Sequence, residues 1–213
     1  MSCSLDWLRK IVVLVIVTAF CSQVGCGSGP RRISQASIDI GKVASEMMAA
    51  DVDQDGYVSK EEAKPFPGFV RGFAAIDSDN DGLVNSEEIQ ARLPGIFTST
   101  SALLPGVCTI SLNGEPLNGA IVTFEPEAFF GGTIPKASAK VKRNGLASLS
   151  IAEEDLPAGA PKVSGLVRPG LYRVKVTHPD KKLPAKYNTK TELGVEVSPD
   201  TTRGGSFSFK LKS

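Results

Sequence analysis

Asp51, Asp53 and Asp55 alternate along the chain, Gly56 follows, and Glu62 closes the run at its twelfth residue. Asp77, Asp79, Asp81, Gly82 and Glu88 repeat the pattern. Carboxylates at the first, third, fifth and twelfth places of a short loop suit the wrapping of a hard cation. Calcium takes about seven oxygen ligands at about 2.3–2.6 Å. Three aspartates supply one oxygen each, and glycine at the sixth place allows the sharp turn. The seventh residue, Tyr57 or Leu83, gives its backbone carbonyl. The ninth, Ser59 or Asn85, reaches the ion directly or through water, and a bidentate Glu62 or Glu88 completes the sphere. The expected ligands are Asp51, Asp53, Asp55, Tyr57, Ser59 and Glu62 for one Ca2+ ion. Asp77, Asp79, Asp81, Leu83, Asn85 and Glu88 serve a second, so two ions are expected.

Loops of this kind need helices to hold them. Ile40, Val43, Ala44 and Met47 fall on one face of a helix entering the first loop. Phe66, Phe69, Val70, Phe73 and Ile76 form a second stripe before the next loop, read as core between the two halves. Pro65, Pro67 and Gly68 cut short any helix leaving the first loop. Ser86 to Leu93 reads as a short exiting helix stopped by Pro94-Gly95. Two full loop matches in tandem resemble an EF-hand pair. The compact spacing is similar to pairs in secreted bacterial proteins rather than to calmodulin-type sensors. The resemblance implies that Val58 and Val84, both at the eighth place, bridge the loops into one unit. Outside a cell, where calcium is abundant, such sites would stay filled, so the metal is expected to be structural.

The N-terminus carries an address. Arg9-Lys10 precede an apolar run from Ile11 to Phe20, as in a signal peptide, and the run is too short to span a bilayer. Val24-Gly25-Cys26 then resembles the lipobox of bacterial lipoproteins, with Gln23 a departure from the usual aliphatic residue. The resemblance implies cleavage before Cys26 and its lipidation. It also implies a place in the cell envelope, anchored outside the cytoplasmic membrane and slightly favouring the outer membrane or periplasmic face. Residues 1–25 are then a signal peptide and 26–36 a tether.

Beyond residue 105 the hydrophobic period becomes two, and turn signals such as Asn113-Gly114 and Asn144-Gly145 recur. About seven short strands predict an antiparallel β-sandwich over 106–213. The fold class is thus multidomain: a helical pair over 37–93, a linker over 94–105, and an all-β module able to fold without metal. Gly106-Val107, Asn113-Gly114, Pro116-Leu117, Gly119-Ala120 and Val122-Thr123-Phe124-Glu125-Pro126 resemble the carboxypeptidase-regulatory-like, transthyretin-related sandwich. So do Gly165-Leu166, Pro169-Gly170-Leu171-Tyr172 and Leu183-Pro184-Ala185-Lys186-Tyr187. That resemblance implies a non-catalytic accessory, adhesive or stalk module.

Charge divides the same way. Residues 37–93 hold twelve acids against five bases, and residues 103–213 hold fifteen bases against ten acids. The net charge of +1 gives no general attraction to nucleic acid, and none is expected as a partner. Four scattered cysteines and one histidine exclude a zinc site built on paired motifs. His178 sits at a strand end, Glu153-Glu154-Asp155 reads as a charged turn, and Cys108 as a small buried side chain, so no enzyme is expected. The leading function is an exported, lipid-anchored, calcium-binding envelope protein with a structural or ligand-binding sandwich. One alternative binds anionic polysaccharide or envelope polymer through Lys140, Lys142, Arg143, Lys175, Lys181, Lys182 and Lys186. Another makes the acidic pair a dockerin-like docking unit for a protein partner, although dockerin loops usually close with Asp rather than Glu.

Overall fold

Asp39 starts the first helix, α1 (Ile40–Met48), by accepting the Lys42 N–H on its carboxylate at 3.0 Å. The computed structural model describes residues 33, 35–97, 102–201 and 206–213. The expected signal peptide and the expected lipidation site at Cys26 lie outside these. Helix α1 buries Val43, Ala44 and Met47. Residues 60–65 form turns, and Pro67 then opens α2 (Pro67–Ile76) at the one helical position that tolerates it. Between them β1 (Val58–Ser59) pairs antiparallel with β2 (Leu83–Val84), with Val58 opposite Val84.

The third helix, α3 (Ser86–Phe97), does not stop at Pro94. A proline inside a helix costs about 3 kcal/mol. The last turn recovers a comparable amount. Ile96 is fully buried, and Phe97 packs edge-on to Phe130 at 5.6 Å. Burying one such side chain is worth about 1.5–3 kcal/mol. Tertiary packing therefore overrides the local stop signal.

The strands that follow are mostly antiparallel. One sheet has the order β12 (Gly194–Val197), β11 (Gly170–Thr177), β6 (Ile121–Pro126), β7 (Ala137–Lys140) and β9 (Ser150–Ile151). The other contains β13 (Phe207–Leu211), β4 (Val107–Leu112) and β5 (Glu115–Pro116), with β8 (Leu146–Ser148) also on β4. Residues 146–151 form two strands rather than one, because the chain changes sheet at the fully buried Leu149. Strand β13 runs parallel to β4, a correction to the all-antiparallel expectation. The chain reaches β13 from β12 in the other sheet, so no hairpin dictates its direction. Phe124 of the first sheet meets Phe207 and Phe209 of the second at 5.8 and 6.0 Å, which puts the core between the sheets as in a β-sandwich.

The two modules expected from the sequence share one core. Residues 33–213 form one compact unit with a single cluster of buried apolar side chains. On β11, Tyr172, Val174 and Val176 are buried together, while Leu171 on the alternate face lies under α2. The helix approaches at backbone distance: a Cβ on Gly68 would stand 2.6 Å from the Tyr172 amide nitrogen. A Cβ on Gly194 would collide with the Pro67 carbonyl. The stretch read as a linker is likewise engaged at both ends. Leu104–Pro105, strand β3, pairs with β10 (Leu166–Val167), and Ala102, Leu103 and Leu104 are buried.

Ion pairs fasten the join. Arg92 of α3 bonds Glu196 on β12, and Asp200 at 3.0 Å. Burial lowers the Arg92 pKa, but Asp200 and Glu196 more than offset it and leave the group above its ordinary value. The opposite net charges of the two halves do not explain this contact. Here the cation belongs to the acidic half and the anions to the basic one.

Candidate metal centre

The two acidic loops fold alike in most of their hydrogen bonds, but Asp51 Oδ1 accepts the Gln54 N–H at 2.7 Å and Asp77 Oδ1 has no such bond. The Asp51, Asp53 and Asp55 carboxylates each offer an oxygen within 4.8 Å of the others, and so do Asp77, Asp79 and Asp81. Backbone N–H groups hold them in place. Asp51 accepts from Gly56 at 3.0 Å and Asp77 from Gly82 at 3.1 Å. Asp53 accepts from the Asp55 N–H and Asp55 from Tyr57. Asp79 and Asp81 make the matching pair of bonds. Gly56 and Gly82 have φ of 90° and 88°, a conformation that costs glycine little.

The closing glutamates are aimed the same way. Glu62 accepts the Val52 and Ser59 N–H groups, both at 2.8 Å. Glu88 accepts those of Ser78 at 2.8 Å and Asn85 at 3.1 Å. The Ser59 N–H and hydroxyl, with the Val52 N–H, hold the Glu62 pKa down to about 2. Its folded value lies below the ordinary 4.5, so its stabilising contribution is full above that value and is lost as pH falls toward 2. Burial pushes Glu88 up, but the N–H groups of Asn85 and Ser78 prevail and leave it lowered. Asp53 shows the cost of crowding. The Asp55 N–H lowers its pKa, but partial desolvation and repulsion from Asp55, Glu62 and Asp51 raise it overall.

A cation fits this arrangement. Asp77 is 7% exposed, and its Oδ1 is buried without a hydrogen-bond partner, while Oδ2 holds the Gly82 N–H. A buried carboxylate oxygen left bare in this way is suited to a cation. The donor set is all oxygen, as a hard ion such as calcium requires.

Ser59 and Asn85 also serve their helical turns. The Ser59 hydroxyl donates to Glu62 at 2.7 Å, and the Asn85 side chain accepts the Glu87 and Glu88 N–H groups at the start of α3. The repeat extends to the fourth place, where Gln54 and Asn80 both have φ of 60°. Asn80 carries a sequence signal for that conformation and Gln54 none.

Several of the other candidate groups have structural partners. His178 Nδ1 accepts the Asp180 and Lys181 N–H groups at 3.0 and 3.1 Å, and Nε2 donates to the Asn118 carbonyl at 2.9 Å. The ring thus braces a turn. Glu153 forms an exposed pair with Lys162 at 2.7 Å. Burial pushes the Cys108 thiol up to about 12, far from a reactive thiolate. Of the seven basic residues, Lys175 is paired with Glu125 at 2.6 Å and Lys186 lies over the Tyr187 ring. Lys140, Lys142, Arg143, Lys181 and Lys182 are exposed.

Sequence reasoning missed a segment on the sandwich side, the turn after β6. Glu127 is buried, accepts the Gly68 N–H at 2.7 Å, and pairs with Arg173 at 2.6 Å. Phe129 and Phe130 beside it are buried against the helices. No local pattern marks these residues, because their partners lie on the other side of the join.

The EF-hand family model matches residues 45–62 and 69–93. No curated protein matches the chain. The match and the folded loops together support an EF-hand pair with a calcium-binding role.

Replacing either closing glutamate tests the assignment of ligands. Glu62→Gln or Glu88→Gln removes one ligand charge and is expected to weaken its own site about tenfold or more. The Val58–Val84 bridge should carry a smaller loss to the other loop. Calorimetric titration of each full-length variant measures both. Wild-type affinity in both variants would remove these residues from the ligand set.

Proposed function

We propose that this chain is an exported, lipid-anchored envelope protein in which two calcium ions hold an EF-hand pair against a non-catalytic sandwich. The observation that carries the calcium reading is the bare Asp77 Oδ1 at the first place of a loop whose other groups are already arranged for a cation. The pair is built into the same core as the sheets, which favours a structural role for the metal over a signalling one. The lipid anchor at Cys26 rests on the residues around it, and the accessory role of the sandwich rests on its sequence resemblance.

Helix α2 of the pair faces the sandwich and is covered by β11 and β12. This weighs against the dockerin-like alternative, in which such faces would be open to a partner. Among the described residues, no helix is long and apolar enough to cross a membrane.

Two measurements on the native protein test the proposal. The full chain should resist protease in calcium and be cut within 37–97 in chelator. Equal cutting in both would remove the structural role of the metal. Mass spectrometry of the mature N-terminus should show an acylated Cys26, and Cys26→Ser should move the protein from the membrane to the soluble fraction. An unmodified N-terminus on a soluble native protein would end the lipid reading.

A further inference from the structure

The turn between β6 and β7 makes its main contacts with the EF-hand pair. Residues Ala128–Phe130 form a single 3-10 turn, and the two phenylalanine rings sit 4.8 Å apart. Phe129 meets Phe66 at 5.8 Å and Phe69 at 6.4 Å, on and just before α2. Phe130 meets Phe97 at the end of α3, and helix α1 packs on the same turn. Phe129 is 5% exposed and Phe130 2%, so both rings are almost completely buried at the contact with the helices.

A polar clamp stands beside the rings. The Glu127 carboxylate accepts the Gly68 N–H in the first turn of α2, where the helix dipole favours an anion. Arg173 bonds the same carboxylate through Nε at 3.0 Å and Nη2 at 2.6 Å, and Nη2 also donates to the Pro65 carbonyl at 3.3 Å. Burial raises the Glu127 pKa, against the pull of the Gly68 N–H and of Arg173. One short segment of the sandwich thus supplies two apolar anchors and one charged hook to the pair.

The helix that receives them is the one strung between the two loops. Its N-terminus follows Glu62, the last ligand of the first loop, by five residues. Its C-cap is Asp77, the first ligand of the second loop, whose N–H donates to the Phe73 carbonyl. A shift of α2 therefore moves ligands of both loops, and filling either loop fixes α2.

We propose that the Glu127–Phe130 turn is a target peptide held in cis by the EF-hand pair, and that its docking and calcium binding reinforce one another through α2. The inference rests on the calcium reading above. Coupling of this kind is reciprocal: what the turn adds to calcium affinity, calcium adds to the hold on the turn. Couplings between sites commonly change affinity about 5–150-fold.

The test is a calcium titration of the full chain against a chromophoric chelator, for wild type, Phe129→Ala, Phe130→Ala and Ile110→Val. Ile110 is a buried residue of β4 and controls for general loss of packing. Either Phe variant should lose about fivefold or more in affinity at both loops, and Ile110→Val should stay within twofold of wild type. Wild-type affinity in both Phe variants overturns the coupling and leaves calcium binding intact. A wild-type chain that binds no calcium overturns the calcium reading and the coupling together. If the Phe variants fail to fold, hydrogen exchange on the wild type decides. Removing calcium should lower protection of the Gly68, Phe130 and Gly131 amides by more than that of β4 and β13. Unchanged protection at the three amides overturns the proposal.

Discussion

Chelation is expected to lower the melting temperature of the whole chain by roughly 10–20 °C, in one transition. Each filled site stabilises the fold by about 2.7 kcal/mol at a hundredfold excess of calcium over Kd. Two sites give about 5 kcal/mol, and a unit of this size shifts by about 2–4 °C per kcal/mol. The transition is single because the EF-hand pair and the sheets share one core, with α2 seated on β11 and β12. Scanning calorimetry with and without chelator measures both quantities. A chelator-sensitive helical melt followed by a separate, insensitive β melt would mean that the two halves fold independently. The reading of residues 106–213 as a self-sufficient module predicts that second outcome. The shared core predicts the first.

Gly194→Ala is expected to destabilise the chain by about 3 kcal/mol or more, near the top of the range for overpacking. The added methyl would meet the Pro67 carbonyl and the Gly68 nitrogen, which are backbone atoms and cannot turn aside as a side chain could. Relief requires α2 to lift from the sheet, stretching the Gly68–Glu127 bond and the Phe69–Phe129 contact. The substitution lies on β12, outside both metal loops, yet it should also reduce calcium affinity because α2 connects them. Denaturant unfolding and a calcium titration of the same variant read the two effects. Near-wild-type stability would show that the helix does not sit this close to β12.

The metal loops were legible because each ligand position demands a residue type at a fixed spacing. Asp at the first, third and fifth places, Gly at the sixth and Glu at the twelfth state the geometry outright. The Val58–Val84 bridge follows from the same repeat and is present. The helix stripes were legible too, although Phe66 and Phe69 face the sandwich turn as well as the other hand. What escaped the sequence was the join. Gly68, Gly194, Glu127 and Phe129 are distant in sequence and carry no shared period. Pro94 misled because its local cost is plain, whereas the packing of Ile96 and Phe97 that offsets it is not. The parallel pairing of β13 with β4 escaped for a related reason: strand patterns report a buried face but not a direction.

Calorimetric titration of calcium into the full chain is the most direct test of the account, run beside the double variant Glu62→Gln/Glu88→Gln. Two ions per wild-type chain and a large loss of affinity in the double variant are expected. A wild-type chain that takes up no calcium, or a double variant that binds as tightly as wild type, would contradict it.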